Sequence, residues 1–176
     1  QDGKLFGTST DGAGFFKSLK NFKVKGSTIT VIGAGGAARS IIAEAAVQGA
    51  GQITVYNRTY KPELFADYPG NIVFKPLSDL TELIGDLLVN TTSLGMDGVS
   101  LPIAMALQLP KDMLVADVIY QPIETPLLAY AKAQGNPTVN GLGMLLYQAA
   151  ESFKLWTGHE MPTDIILKKL EEKIYG

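Results

Sequence analysis

The residues best placed to do chemistry here are glycines. Gly33-Ala34-Gly35-Gly36-Ala37-Ala38 carries the spacing Gly-x-Gly-x-x-Ala. In such a run Gly33 permits a tight turn, Gly35 lets the backbone approach a pyrophosphate, and Ala38 lets helix and strand pack closely. The free N–H groups that open the helix then hold the phosphates, aided by its dipole. A glycine-rich turn that binds nothing has the same composition, so the flanking segments decide. Before the turn, Thr28-Ile-Thr-Val-Ile32 is β-branched and almost wholly apolar, as a strand buried on both faces requires. After it, Ile41 to Gln48 is rich in helix formers and stops at Gly49. Strand, turn and helix in that order favour dinucleotide binding.

A second group stands about two dozen residues downstream of Gly33, where a dinucleotide fold reads the adenosine ribose. A carboxylate there binds the 2′-hydroxyl of NAD and repels a 2′-phosphate. Here the second strand, Gln52 to Asn57, runs into Arg58, Thr59, Tyr60 and Lys61, with no acid before Glu63. Arg58 offers a planar, two-pronged set of donors, and Asn57 and Thr59 add hydrogen bonds, a combination suited to NADP(H). A solvated arginine at a strand end is the plain alternative.

Other polar residues are ambiguous on local physics. Asp11, in Ser9-Thr-Asp-Gly12, is most simply a helix N-cap. The hydroxyls of Thr91-Thr92-Ser93 either line a ribose or make local turns. Tyr120 and Gln148 stand near an expected strand end and on an apolar helix, where either is ordinary. A single histidine, His159, and no cysteine leave little for a His/Cys metal site, a disulfide or thiolate chemistry.

These residues need a scaffold, and from Thr28 onward the chain alternates strand and helix. Further strands are expected at Asn71–Phe74, Asp86–Asn90, Met113–Ile119 and Pro137–Val139, with a helical turn or two at Leu77–Ile84. Thr125-Pro126 opens a helix that Gly135 closes. The expected architecture is α/β and doubly wound, Rossmann-type: a mainly parallel six-stranded sheet with helices on both faces, then C-terminal helices. Of these, one carries Leu142, Leu145, Leu146, Ala149, Phe153 and Trp156 as a stripe expected to pack in the core. The last, Thr163 to Tyr175, packs on the domain or docks elsewhere. At the other end, Gln1-Asp-Gly3 followed by Lys4-Leu-Phe-Gly7 reads as half a hairpin, and suggests a fragment.

With 46% hydrophobic residues and a formal net charge of −2, the composition is globular, with no basic block for nucleic acid or anionic lipid. No apolar run reaches transmembrane length and no signal peptide opens the chain, so a cytoplasmic location is expected. Oligomeric state is left open, a homodimer included.

Taken in order, Ser9-Thr-Asp-Gly, Gly33-Ala-Gly-Gly-Ala37, Asn57-Arg-Thr, Asn90-Thr-Thr-Ser-Leu-Gly-Met96, Asp117-Val-Ile-Tyr-x-Pro122 with Thr125-Pro-Leu-Leu128, and Gly141-Leu-Gly-Met-Leu-Leu-Tyr-Gln148 resemble the shikimate dehydrogenase family. The likeness covers nearly the whole chain and corresponds to that family's NADP-binding domain with its returning C-terminal helices, residues 1–176 forming that one unit. It implies reduction of 3-dehydroshikimate to shikimate with NADPH, in aromatic amino-acid biosynthesis, with a quinate or aminated substrate as the near variant. It further implies that Gly33, Ala34, Gly35, Gly36 and Ala37, with Asn57, Arg58, Thr59 and Thr92, hold NADP, and that Val118 and Gly141 approach the nicotinamide. By the same resemblance Tyr120 and Gln148 touch substrate, and Asp11 binds it as partner of a catalytic lysine. That lysine and its N-terminal substrate domain are missing from these motifs, since none of Lys4, Lys17, Lys20, Lys23 or Lys25 lies in a segment like the family's lysine motif. Ser9 replaces the family's usual asparagine.

Overall fold

A computed structural model describes Gly3 and residues 7–176. Six strands, β1 (Thr28–Ile32), β2 (Gln52–Asn57), β3 (Ile72–Pro76), β4 (Leu87–Asn90), β5 (Leu114–Asp117) and β6 (Thr138–Val139), form one sheet in the order β3-β2-β1-β4-β5-β6. Every pairing is parallel, so the sheet is wholly rather than mainly parallel. The winding reverses between β1 and β4, which makes the carboxyl ends of those two strands the place where a crevice opens. The returning strand expected at residues 4–7 lies largely outside the described residues.

Period-two alternation sends the strand side chains to two cores. Ile29 and Val31, Ile53 and Val55, Leu87 and Val89, and Ala116 face one. It is filled from α1 (Asp11–Ser18) by Phe15 and Phe16, and from α2 (Gly36–Val47) by Ala38, Ile41, Ile42 and Ala45. Ile32, Tyr56, Leu88 and Val115 face the other, where α3 (Pro126–Ala133) supplies Leu127, Leu128 and Ala131. Loop residues Leu80, Leu83, Ile103 and Leu107 complete this second core. Between Leu77 and Ile84 only one 3₁₀ turn forms, Leu77–Asp79, in place of the helical turn or two expected. The spacing of Leu77, Leu80 and Leu83 suits a 3₁₀ turn followed by extended chain, which buries Leu80 and Leu83 while Thr81 and Glu82 face water. The crossing from β4 to β5, residues 91–113, contains no helix. It is tied by turns such as that at Asp97, where Ser100, through hydroxyl and backbone, and the Val99 N–H hold the carboxyl down at about 2.

α3 opens as expected, with Thr125 accepting from the Leu128 N–H at 3.4 Å and Pro126 at its first position. α1 does not. Thr10 occupies the cap position and Asp11 is already helical, its N–H facing Ser9 Oγ at 3.3 Å. The Asp11 carboxylate makes no hydrogen bond among the described residues, so it is not the expected N-cap. In α4 (Leu142–Thr157) only Leu142 and Leu146 are fully buried; Phe153 is partly exposed and Trp156 is 83% exposed. The stripe is therefore core at its start only, because periodicity defines a face without supplying anything to cover it. α5 (Thr163–Tyr175) has no fully buried residue, yet it rests on α4 and is pinned at its end. There the Tyr175 hydroxyl donates to Tyr120 O at 2.7 Å and accepts from Asn140 Nδ2 at 3.2 Å.

Candidate functional site: a crevice at the switch of the sheet

β1 ends by feeding Gly33, whose φ of +107° few other residues adopt. A Cβ there would lie 2.5 Å from Thr91 Oγ1 and 3.0 Å from Thr92 Cγ2, so the turn has no room for a side chain. Its N–H donates to Tyr56 O at 2.8 Å, tying the turn to the end of β2. Gly35 and Gly36 present the opposite case: a Cβ on either would meet nothing within 4 Å. Gly35 caps α2 with φ −77° and ψ −166°, an ordinary extended conformation. Neither packing nor backbone strain requires glycine at 35, which leaves open space in front of the helix. The first intrahelical bond is Arg39 N–H to Gly35 O at 3.0 Å, so the N–H groups of Gly36, Ala37 and Ala38 have no partner of that kind.

That space belongs to a cleft of about 370 Å³ bounded by Gly33, Ala34 and Gly35, by Asn57 and Arg58, and by Thr91 to Leu94. Among the described residues no carboxylate lines it. Asn57 is half-buried and donates from Nδ2 to Thr59 O at 2.9 Å, which folds the turn back and leaves Arg58 and Thr59 exposed. Arg58 makes no ion pair among the described residues. Unpartnered helix N–H groups at one place and an unpaired guanidinium on the neighbouring strand suit an extended polyanion.

At the floor of the cleft the threonines hold its turn. Thr91 Oγ1 donates to Ile32 O at 2.7 Å and Thr92 Oγ1 to Asn90 Oδ1 at 2.8 Å, so both hydroxyl protons serve the turn. Thr92 itself lines the cleft. Below them, Asn90 and Asp117 are 0% and 1% exposed. Burial pushes the Asp117 carboxyl above its ordinary value, opposed by hydrogen bonds from Ile119, Thr125 and Asn90. Thr91, Thr92 and Ser93 also border a second cleft, of about 340 Å³, walled by Val118 and Tyr120. The two clefts therefore share one edge.

Gly141, where α4 begins, sits against the second cleft's wall: its N–H donates to Ile119 O at 2.9 Å, and a Cβ would lie 1.9 Å from Val118 O. α1 is wedged between α2 and α4. A Cβ on Gly12 would lie 2.3 Å from Ser40 O, and one on Gly14 would lie 2.4 Å from Gln148 N. This places Asp11 beside the early turns of α2 and the start of α1 beside α4, where Thr10 and Ser152 hydroxyls meet at 3.0 Å. Gln148 folds its Nε2 onto Leu145 O at 3.0 Å. Gly33, Ala34, Gly35, Asn57, Arg58 and Thr92 thus share the first cleft, and Thr92, Val118 and Tyr120 the second. Gly36, Ala37, Thr59, Gly141, Asp11 and Gln148 border neither.

A family model described as Shikimate / quinate 5-dehydrogenase matches residues 17–118, and one described as Shikimate 5′-dehydrogenase C-terminal domain matches residues 141–171. The chain belongs to the shikimate/quinate dehydrogenase family. It is 50% identical to the shikimate dehydrogenase (NADP(+)) of Streptococcus pneumoniae (strain JJA), over 98% of this chain and 66% of that protein. The crystal structure of shikimate 5-dehydrogenase from Thermus thermophilus, in complex with NADP(H) and shikimate, superposes with a TM-score of 0.80 at 32% identity. The match covers 96% of this chain and 64% of that one. Ligand-free 5-ketofructose reductase of Gluconobacter sp. strain CHM43 gives a TM-score of 0.86 at 35% identity, covering 98% and 66%. The chain therefore spans just under two thirds of the length of these relatives.

In this member of the shikimate/quinate dehydrogenase family, Asn90 and Asp117 head two of the motifs quoted above, but sequence reading gave neither a role. A signal for them exists: Leu87-Leu-Val-Asn90 and Leu114-Val-Ala-Asp117 each end an apolar strand in a polar side chain at the carboxyl edge.

Proposed function

We propose that this chain is the NADP(H)-binding portion of a shikimate dehydrogenase, an enzyme that interconverts 3-dehydroshikimate and shikimate in the cytoplasm. One observation carries the reading: the open space over Gly35 belongs to the same cleft as Arg58, which among the described residues has no ion-pair partner and no carboxylate beside it in the lining. The residues present fit the cofactor. Backbone N–H groups of Gly36 to Ala38 hold the pyrophosphate where a side chain at 35 would intrude. Arg58, with Asn57 and Thr59, holds the 2′-phosphate at the end of β2. Thr92 contributes packing, and the backbones of Val118 and Gly141 border the nicotinamide end. When bound, the nicotinamide supplies the hydride.

On the substrate side, Tyr120 walls the second cleft, while Asp11, whose carboxylate makes no hydrogen bond among the described residues, and Gln148 stand on α1 and α4, which pack against each other. These residues orient an alicyclic hydroxy acid and leave its hydroxyl proton to a group outside the chain's match. Positioning of the two reactants is worth roughly 7–11 kcal/mol of barrier, so residues 1–176 alone should turn over negligible shikimate. The resemblance implies a catalytic lysine outside the part of the relatives that this chain covers.

Replacement of Arg58 by Ala tests the reading. NADP affinity should fall by about 1.5–3 kcal/mol, the range for a hydrogen bond to a charged group, while NAD affinity holds. Equal losses for both cofactors would mean that Arg58 serves the fold or the pyrophosphate instead.

A further inference from the structure

No cofactor or substrate contact proposed above uses the buried Asn90–Asp117 pair, and its hydrogen bonds have a common destination. The two residues are register partners across β4 and β5. Asn90 Nδ2 donates to both carboxylate oxygens of Asp117 at 3.1 Å and to Leu94 O at 3.0 Å. Asn90 Oδ1 accepts from the Thr92 N–H at 3.0 Å and from the Thr92 hydroxyl at 2.8 Å. Asp117 Oδ1 accepts from the Ile119 N–H at 3.1 Å, and Oδ2 from the Thr125 hydroxyl at 2.8 Å. One pair of side chains thus grips segment 91–94 on one side, and segment 118–120 with the cap of α3 on the other. Those two segments are the walls of the second cleft.

Stability does not explain the choice of a carboxylate. Every donor facing Asp117 is neutral, and no cation pairs with it among the described residues. Burying such a group costs more than burying an apolar residue of similar volume. What the carboxylate does well is accept from three directions at once, fixing three donors from different segments relative to one another.

We propose that Asp117, acting through Asn90, is a positioning residue that sets the spacing of the 91–94 and 118–120 segments and so holds the nicotinamide end of the dinucleotide. This inference rests on the NADP(H) reading given above. It assigns no part in the chemistry to Asp117, which lines neither cleft.

The test compares two ligands that share every phosphate. NADP⁺ carries the nicotinamide, whereas 2′-phospho-ADP-ribose stops at the ribose. Asp117→Asn keeps the shape but turns one acceptor into a donor facing Asn90 Nδ2 or Thr125 Oγ1. It should weaken NADP⁺ binding to the 176-residue protein by about tenfold, the effect of one mispaired buried donor, and leave 2′-phospho-ADP-ribose within about twofold of wild type. Asn90→Ser spares the bonds from Ile119 and Thr125 to Asp117 but cuts the tie to 91–94, and should give the same selective loss. Circular dichroism and melting temperature confirm the fold of each variant. Equal weakening of both ligands, or of neither, in a folded variant overturns the proposal, as does unfolding of both variants, which would make the pair structural. Failure of the wild-type chain to bind either ligand would instead defeat the NADP(H) reading, and this proposal with it.

Discussion

Gly141 offers a sharp test of how the second cleft's wall is built. Its φ of −75° and ψ of −6° suit any residue, so Gly141→Ala introduces no backbone strain and only a methyl group. That methyl would lie 1.9 Å from Val118 O, 2.4 Å from Val118 C and 3.1 Å from Ile119 C. Ordinary contact begins near 3.4 Å, so the two backbones must part by about 1.5 Å. Neither side can yield cheaply. The Val118 N–H is bonded to Asn90 O at 3.1 Å, the Ile119 N–H to Asp117, and Gly141 itself to Ile119 O at 2.9 Å. Overpacking of about 1–3 kcal/mol and one weakened backbone bond of about 0.5–1.5 kcal/mol together suggest a loss of about 2–4 kcal/mol. For a chain of this size that lowers the melting temperature by about 5–15 °C, read by circular dichroism with urea unfolding as a second measure. Gly35→Ala is the control. It adds the same methyl where nothing lies within 4 Å, and should melt within about 2 °C of wild type. A Gly141→Ala protein that melts as the wild type does would refute the argument that close approach of α4 to Val118 demands glycine.

Gly35→Asp should fold with near-normal stability yet bind neither NADP nor NAD in titration calorimetry, since a charged side chain fills the open space before α2; retained affinity removes the phosphate cradle from the site. Ile41→Ala, at a position 0% exposed between α2 and the sheet, should cost about 2–5 kcal/mol in urea unfolding, and a loss below about 1 kcal/mol would place the core elsewhere. The pH dependence of Asp117 has a definite sign. Burial raises its folded value above the unfolded 3.8, so its contribution is fully present below the unfolded value and fades as pH rises through the folded one. The melting-temperature gap between wild type and Asp117→Asn should therefore narrow as pH rises above the unfolded value of 3.8. A gap that widens over that range would show that the hydrogen bonds outweigh burial.

Segments whose neighbours in sequence are also their reasons in space were the readable ones. Thr28–Ile32 and Gln52–Asn57 are strands with the bounds their apolar, β-branched runs suggest, and Thr125-Pro126 opens its helix. The glycine turn is readable too, because strand, turn and helix are contiguous. What fails locally depends on distant partners. Whether Asp11 or Thr10 stands at the cap depends on where α1 must lie between α2 and α4. Trp156 shares a period with Leu142 and Leu146, but nothing in that period tells where cover ends. The Asn90–Asp117 pair is set by sheet register across 27 positions, and neither residue belongs to a local motif with a mechanism of its own.

The wedging of α1 has a consequence for how the chain is made. Lys17 and Glu151, which join α1 to α4, are 134 positions apart. At a synthesis rate of about 5–20 residues per second, α1 waits roughly 7–27 s for its partner after it emerges. α2 becomes available far sooner and can shelter the Gly12 side, but among the described residues the flank carrying Gly14 and Ser18 is covered by residues 142–157, which appear much later. The packing of α1 is thus completed only after α4 emerges, and that interval on the ribosome is set by translation speed.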